Sequence, residues 1–124
     1  MCLPRVVHFE IDAEKPERLV EFYERVFGWK LVKWEGPVPY WLITTGGEGE
    51  PGIDGGLGKR TEPEPKTVNT IDVPSVDEFV KKVVENGGTI VVPKHAVLGV
   101  GWLAYFKDPE GNTFGMMQSD ESAK

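Results

Sequence analysis

The 124-residue sequence contains a single cysteine, Cys2. One thiol closes no internal disulfide, and there is no zinc-type cysteine spacing, so Cys2 reads as an inert residue beside the start of the chain. Histidine is nearly as scarce: His8 and His95 are the only two. Positive charge is in deficit, with 14 Lys and Arg against 20 Asp and Glu for a formal net charge of −6. That balance argues against nucleic acid and anionic membrane as main partners, because both reward clustered cations. No apolar run approaches the ~18 residues of a membrane span. Pro4, Arg5, His8 and Glu10 interrupt the start of the chain, so it does not read as a signal peptide. The expected location is the cytoplasm. Two glycine-rich stretches, Gly55-Gly56-Leu57-Gly58 and Gly99-Val100-Gly101, lack the Lys-Ser/Thr ending of a phosphate loop. No Gly-x-Ser-x-Gly elbow or Cys–His pair is present, which speaks against nucleophilic catalysis.

What remains is a chain of one-domain size with an ordinary share of apolar residues. Val6 to Ile11 alternates like a strand, with Val7, Phe9 and Ile11 on one face and Val6, His8 and Glu10 on the other. A helix follows, with Asp12 or Glu14 as cap and Pro16 in its first turn. Its apolar stripe is Leu19, Phe22, Tyr23, Val26 and Phe27, and Gly28 suits its stop. Trp29–Trp34, Tyr40–Thr44 and Ile53–Lys59 read as strands.

The segment 61–66, with Pro63, Pro65 and three charged residues, is the linker candidate. After it the pattern starts again. Thr67–Val73 is a strand. Ser75 with Glu78 forms a capping box before a stripe of Val76, Phe79, Val80, Val83 and Val84. Asn86-Gly87-Gly88 ends this helix. Thr89–Pro93, Trp102–Lys107 and Thr113–Gln118 are strands, and Asp108-Pro109-Glu110-Gly111-Asn112 is a hairpin loop. Residues 120–124 read as a frayed tail.

The halves match at an offset near 60 residues. His8 aligns with Asn69, Leu19 with Phe79, Trp41-Leu42 with Trp102-Leu103, and Gly56-Leu57 with Gly115-Met116. The expectation is an α+β domain over residues 1–124: module one 5–60, linker 61–66, module two 67–119. Each module reads β-α-β-β-β, and one such unit is too small for a good core alone. Two together would form a curled mixed sheet around a cup.

This order, with Val7-His8-Phe9-Glu10-Ile11, Phe27-Gly28-Trp29, Gly55-Gly56-Leu57 and the late Asp-Pro-Glu-Gly-Asn run, resembles the vicinal oxygen chelate superfamily. That group holds glyoxalase I, extradiol dioxygenases and the fosfomycin and bleomycin resistance proteins. The similarity covers nearly the whole chain and is strongest to glyoxalase-related proteins without an assigned reaction. The resemblance implies a floor where up to four side chains hold a divalent metal. Carried over, those positions are His8, Gly56, Asn69 and Gly115, of which only His8 is an ordinary metal ligand. Gly115 stands where the superfamily has a glutamate. A stable transition-metal site needs three or four ligands, so the expected cofactor is none, or a weakly held divalent metal at His8.

His8 and Glu10 share a strand face. They are candidates to bond each other, to orient or protonate an organic ligand, or to anchor a metal. Tyr40, Trp41 and Trp102 are core residues or walls of a ligand pocket. Gly55, Gly56, Gly58 and Gly115 are strand bulges, or missing side chains that enlarge the cup. Asp54 is a turn residue or a substitute ligand, and His95 a loop histidine or a second acid–base group.

The expected function is a small-molecule-binding domain lined by His8, Glu10 and Asn69. The alternative is a lyase, isomerase or dioxygenase-like enzyme using a divalent metal at His8, with His8 and Glu10 catalytic. Turnover as a true glyoxalase I is not expected. Partners would be a small molecule and, in a homodimer, a second copy of the chain.

Overall fold

A computed structural model describes residues 3–124, so Cys2 lies outside the described residues. The chain folds as α+β. Its elements run β1 (Arg5–Ala13), α1 (Pro16–Phe27), β2 (Lys30–Lys33), β3 (Tyr40–Thr44), β4 (Asp54–Lys59), β5 (Thr67–Asp72), α2 (Val76–Glu85), β6 (Thr89–Val97), β7 (Gly101–Lys107) and β8 (Thr113–Ser119). This is the β-α-β-β-β order twice. Two compact units result: one is His8–Thr67, and the other is Val68–Lys124 with the segment up to Val7.

In the first unit the strands lie in the order β2-β3-β4-β1. β1 pairs parallel with β4, and β4 antiparallel with β3. Parallel neighbours need a crossover, which α1, β2 and β3 supply. One sheet face carries Phe9, Ile11, Ala13, Trp41, Ile43 and Leu57, packed with Leu19, Val20 and Tyr23 of α1. Tyr23 stacks on Trp29 with ring centroids 5.2 Å apart. Pro16 takes the first turn of α1, and Gly28 closes it in the left-handed conformation at φ 73°. The cap itself is Lys15, which makes no side-chain bond, rather than Asp12 or Glu14. The far end of the predicted stripe is also turned out: Phe22, Val26 and Phe27 are exposed.

The second unit repeats the plan in the order β5-β8-β7-β6, with β5 parallel to β8 and β7 antiparallel to both its neighbours. Val73, Val76, Ala104 and Met116 form its core, against Ile71, Phe79, Val80 and Val83. Ser75 caps α2 as its capping box implies, its Oγ accepting from Glu78 N–H at 3.2 Å. Gly111 supplies the left-handed residue of the hairpin at φ 89°. Asp108 holds that loop by accepting from Asn112 and Glu110 N–H groups, each at 2.9 Å. Hydrogen bonds from the Asn112 side chain, then its backbone, keep the Asp108 carboxyl below its ordinary value.

Three expectations are corrected here. β6 does not end at Pro93 but runs to Val97, bulging between Ile90 and His95, so His95 is a strand residue. The glycines, by contrast, are not bulged: β4 keeps unbroken register through Gly55–Gly58, and β8 through Gly115. Residues 120–124 are not a frayed tail, because Ala123 is 2% exposed and its carbonyl accepts from Gly99 N–H at 3.1 Å. Among the described residues no helix is long and apolar enough to cross a membrane.

Candidate functional site

The face of β1 away from α1 carries His8 and Glu10, two residues apart on one strand. Across the parallel ladder they pair with Asp54 and Gly56 of β4. Tyr40, on β3, pairs with Gly58, and its ring lies over the stretch of β4 that has no side chain at 56 or 58. A Cβ at Gly56 would fall on the Tyr40 hydroxyl, so any other residue there must displace that side chain. The hydroxyl therefore occupies the space that any other residue at 56 would fill. From there Tyr40 Oη donates to Glu10 Oε2 at 2.8 Å. It also lies 3.1 Å from His8 Nε2.

These two bonds set each other's direction. A phenol has one proton, and an ionised carboxylate can only accept. Tyr40 gives its proton to Glu10, so it accepts from His8, and Nε2 of His8 carries hydrogen. His8 Nε2 and Glu10 Oε2 are 3.9 Å apart, too far for a direct hydrogen bond and bridged by the phenol. The side chains of His8 and Glu10 are 32% and 26% exposed. The Nδ1 atom of His8 has no hydrogen-bond partner among the described residues. The result is an imidazole in defined orientation, linked through a phenol to a carboxylate.

Trp41 is 8% exposed inside the first core, among Leu31, Ile43 and Leu57. Trp102 packs against the second core, donates from Nε1 to Asp120 at 3.0 Å and lies under Lys94 at 4.8 Å. Bonds from Ser122 and Trp102 hold the Asp120 carboxyl below its ordinary value. Asn69 alternates with Ile71 and Val73, so it shares the face of β5 that packs toward α2. Thr70 takes the other face, paired with Gly115. A Cβ at Gly115 would stand 3.2 Å from both Thr70 Oγ1 and a Tyr105 ring carbon. Asp54 accepts from Thr45 N–H at 2.8 Å and serves the β3–β4 connection. His95 shares a strand pair with Leu103, and its Nδ1 lies 3.0 Å from the Pro93 carbonyl, which can only accept.

At the two glycines where the resemblance puts metal ligands, neighbouring side chains stand close. Gly56 makes room for Tyr40, and Gly115 lies close against Thr70 and Tyr105. The sequence offered Tyr40 as a core residue or a pocket wall, and its bridging hydroxyl was missed. The signal was there: two glycines on one strand face opposite a tyrosine mark an aromatic laid over bare backbone.

Residues 5–116 match the model of the Glyoxalase/Bleomycin resistance protein/Dioxygenase superfamily, and the chain belongs to that family. It is 32% identical over 106 residues to "Putative glyoxylase CFP32" of Mycobacterium bovis and of Mycobacterium tuberculosis. That match takes 81% of this chain but 40% of those proteins, so the chain spans less than half the length of these curated relatives. Similar solved structures include hypothetical protein BH1468 of Bacillus halodurans, at TM-score 0.71 and 18% identity over 98% of both chains. Methylmalonyl-CoA epimerase of Mycobacterium tuberculosis superposes at TM-score 0.70 with 13% identity, over 93% of this chain and 87% of that one. A Streptomyces coelicolor methylmalonyl-CoA epimerase in complex with 2-nitronate-propionyl-CoA does so at TM-score 0.70 and 16% identity, over 99% of both chains. At these identities the likeness is one of fold.

A divalent metal is common in this family. Here no three His, Cys, Asp or Glu side chains among the described residues converge to hold one. Gly56 and Gly115 offer no donor, and Nε2 of His8 is engaged by Tyr40. The donor set does not fit a three- or four-ligand centre.

Proposed function

We infer that the domain binds a small oxygen-bearing organic molecule at the His8–Glu10 face of β1, without a tightly bound metal. The observation that carries this reading is the Tyr40 hydroxyl seated over Gly56, bonded to Glu10 and within 3.1 Å of His8. It turns the imidazole so that Nδ1 presents a lone pair. Such an acceptor suits a hydroxyl, or an acidic C–H beside a carbonyl. The fold likeness to epimerases solved with acyl-CoA ligands supports a small-molecule role for this scaffold.

A second reading is favoured by the same relay. An imidazole that takes a proton at Nδ1 becomes a cation, and Glu10 lies 3.9 Å from its far nitrogen to balance the charge. In that case the domain is a lyase or isomerase with His8 as base, Glu10 as counter-charge and Tyr40 as bridge. Lactoylglutathione formation from the hemithioacetal of methylglyoxal and glutathione is not expected. A cytoplasmic homodimer belongs to the same reading, and sizing chromatography would give twice the 13.8 kDa chain mass.

The test is a thermal-shift screen of small carbonyls, hydroxy acids, thiol conjugates and aromatics, repeated on Tyr40→Phe and His8→Ala. A hit weakened at least tenfold in both variants supports the site. Hits that bind both variants as they bind the wild type would remove His8 and Tyr40 from it. Metal analysis of chelator-free protein is the companion measurement, and a stoichiometric transition metal would overturn the metal-free reading.

A further inference from the structure

A cleft of about 410 Å³ opens where β1 gives way to α1, lined by Lys15, Arg18 and Arg60, by Ala13 and Glu14, and by Leu19 and Phe22. A neighbouring trough of about 350 Å³ shares Arg18 and Phe22 and continues along α1 past the Glu21–Arg25 ion pair to Val26. Two features set this place apart. The first is charge: the chain is acidic overall at −6, yet three cations line this cleft against one acidic residue, Glu14. Arg60 is tied to Asp12 at 3.2 Å, but Lys15 and Arg18 form no ion pair among the described residues. The second is the apolar wall. Phe22 stands edge-on to Tyr23 at 5.1 Å and remains 51% exposed beside the unpaired Arg18. A large exposed aromatic with unpaired cations on its flank matches a ligand with both an apolar body and a negative group.

We propose that this cleft is a binding site for a small organic anion, an apolar or aromatic body carrying a phosphate or carboxylate. Lys15 and Arg18 take the anionic group, and Leu19 and Phe22 take the body. A bidentate fork from Arg18 suits either oxyanion. The site is distinct from the Tyr40 relay. Its nearest link to that relay is Asp12, which holds Arg60 and stands two residues along β1 from Glu10, roughly 7 Å at strand rise. It goes beyond the function proposed above and does not depend on it.

The probe is benzyl phosphate, titrated into isotopically labelled protein and followed by amide NMR. Saturable shifts are expected at residues 13–22 and 59–60. Inorganic phosphate and benzyl alcohol should each bind at least tenfold more weakly. The double variant Lys15→Gln/Arg18→Gln should lose at least tenfold in affinity while keeping the wild-type melting temperature, since both side chains are exposed and unpaired. Binding by that variant within twofold of wild type would overturn the proposal. So would inorganic phosphate binding as tightly as benzyl phosphate, or shifts mapping elsewhere. A phosphonate and a carboxylate of the same benzyl body, run in parallel, identify which oxyanion is preferred.

Discussion

The two modules share a plan but differ at the glycine of their last strand. In the first, Gly56 pairs with Glu10, and the Tyr40 hydroxyl fills the place of its side chain. In the second, Gly115 pairs with Thr70, and Thr70 with Tyr105 only borders the space. A side chain at the first would displace the hydroxyl of a polar relay, while one at the second would make contacts tighter than most but short of a clash. A duplicated fold has kept its cores alike and let its open faces diverge. Leu57 and Met116 show the likeness, 0% and 2% exposed at matching places next to those glycines.

The largest expected effects test that likeness. Leu57→Ala and Met116→Ala should each cost about 2–5 kcal/mol, because each leaves a cavity in its own core. Denaturant midpoints would check this, and a small loss in one with a large loss in the other would break the equivalence of the cores. Next comes the glycine contrast. Gly56→Ala should cost about 1–3 kcal/mol by displacing Tyr40. Gly115→Ala needs its neighbours to give only a few tenths of an ångström and should cost under ~1 kcal/mol. Equal costs at the two positions would remove the contrast. Ser75→Ala should then cost about 1 kcal/mol through the lost cap of α2. The first helix has no side-chain cap to lose, so Lys15→Ala should leave the melting temperature within a degree or two.

The smallest effect concerns acid. Asp108 and Asp120, both in the second unit, have carboxyls held below the ordinary value of 3.8 by their hydrogen bonds. A depressed folded-state value stabilises fully above the unfolded value and loses that contribution as pH falls through the folded one. Order in the 108–112 loop and the 120–122 turn should therefore hold down to pH of about 3.8 and fade below it. Amide NMR of those turns would show it. Loss of their order already at pH 5 would contradict the assignment.

Much of the fold was legible because it rests on local rules. The capping box at Ser75, the left-handed stop at Gly28 and the Asp108–Asn112 loop all follow from a few neighbouring residues. The site was legible only in part. His8 and Glu10 share a face by alternation alone, which sequence shows. The reach of Tyr40 depends on strand register. Register also moved the correspondence between halves: with Gly56 matched to Gly115, Glu10 matches Thr70, and Asn69 falls on the opposite face from His8's counterpart. In the same register Trp41, opposite Leu57, corresponds to Ala104, opposite Met116, and not to Trp102. A shift of one residue reverses every face, and pattern alone does not fix it. The outward turn of Phe22, Val26 and Phe27 was hidden for a similar reason. Helical spacing marks a stripe but not how much of it the sheet covers.

The Tyr40 hydroxyl sits over Gly56 and bridges His8 to Glu10. The most direct test compares two alanines on one strand face by NMR of the His8 ring and Glu10 side chain. A Cβ at Gly56 lands on the hydroxyl, whereas one at Gly58 meets the Tyr40 ring at an ordinary 3.6 Å. Gly56→Ala should move both sets of signals as Tyr40→Phe does, and Gly58→Ala should leave them in place. His8 and Glu10 signals unchanged in Gly56→Ala, or moved equally by both alanines, would contradict the account.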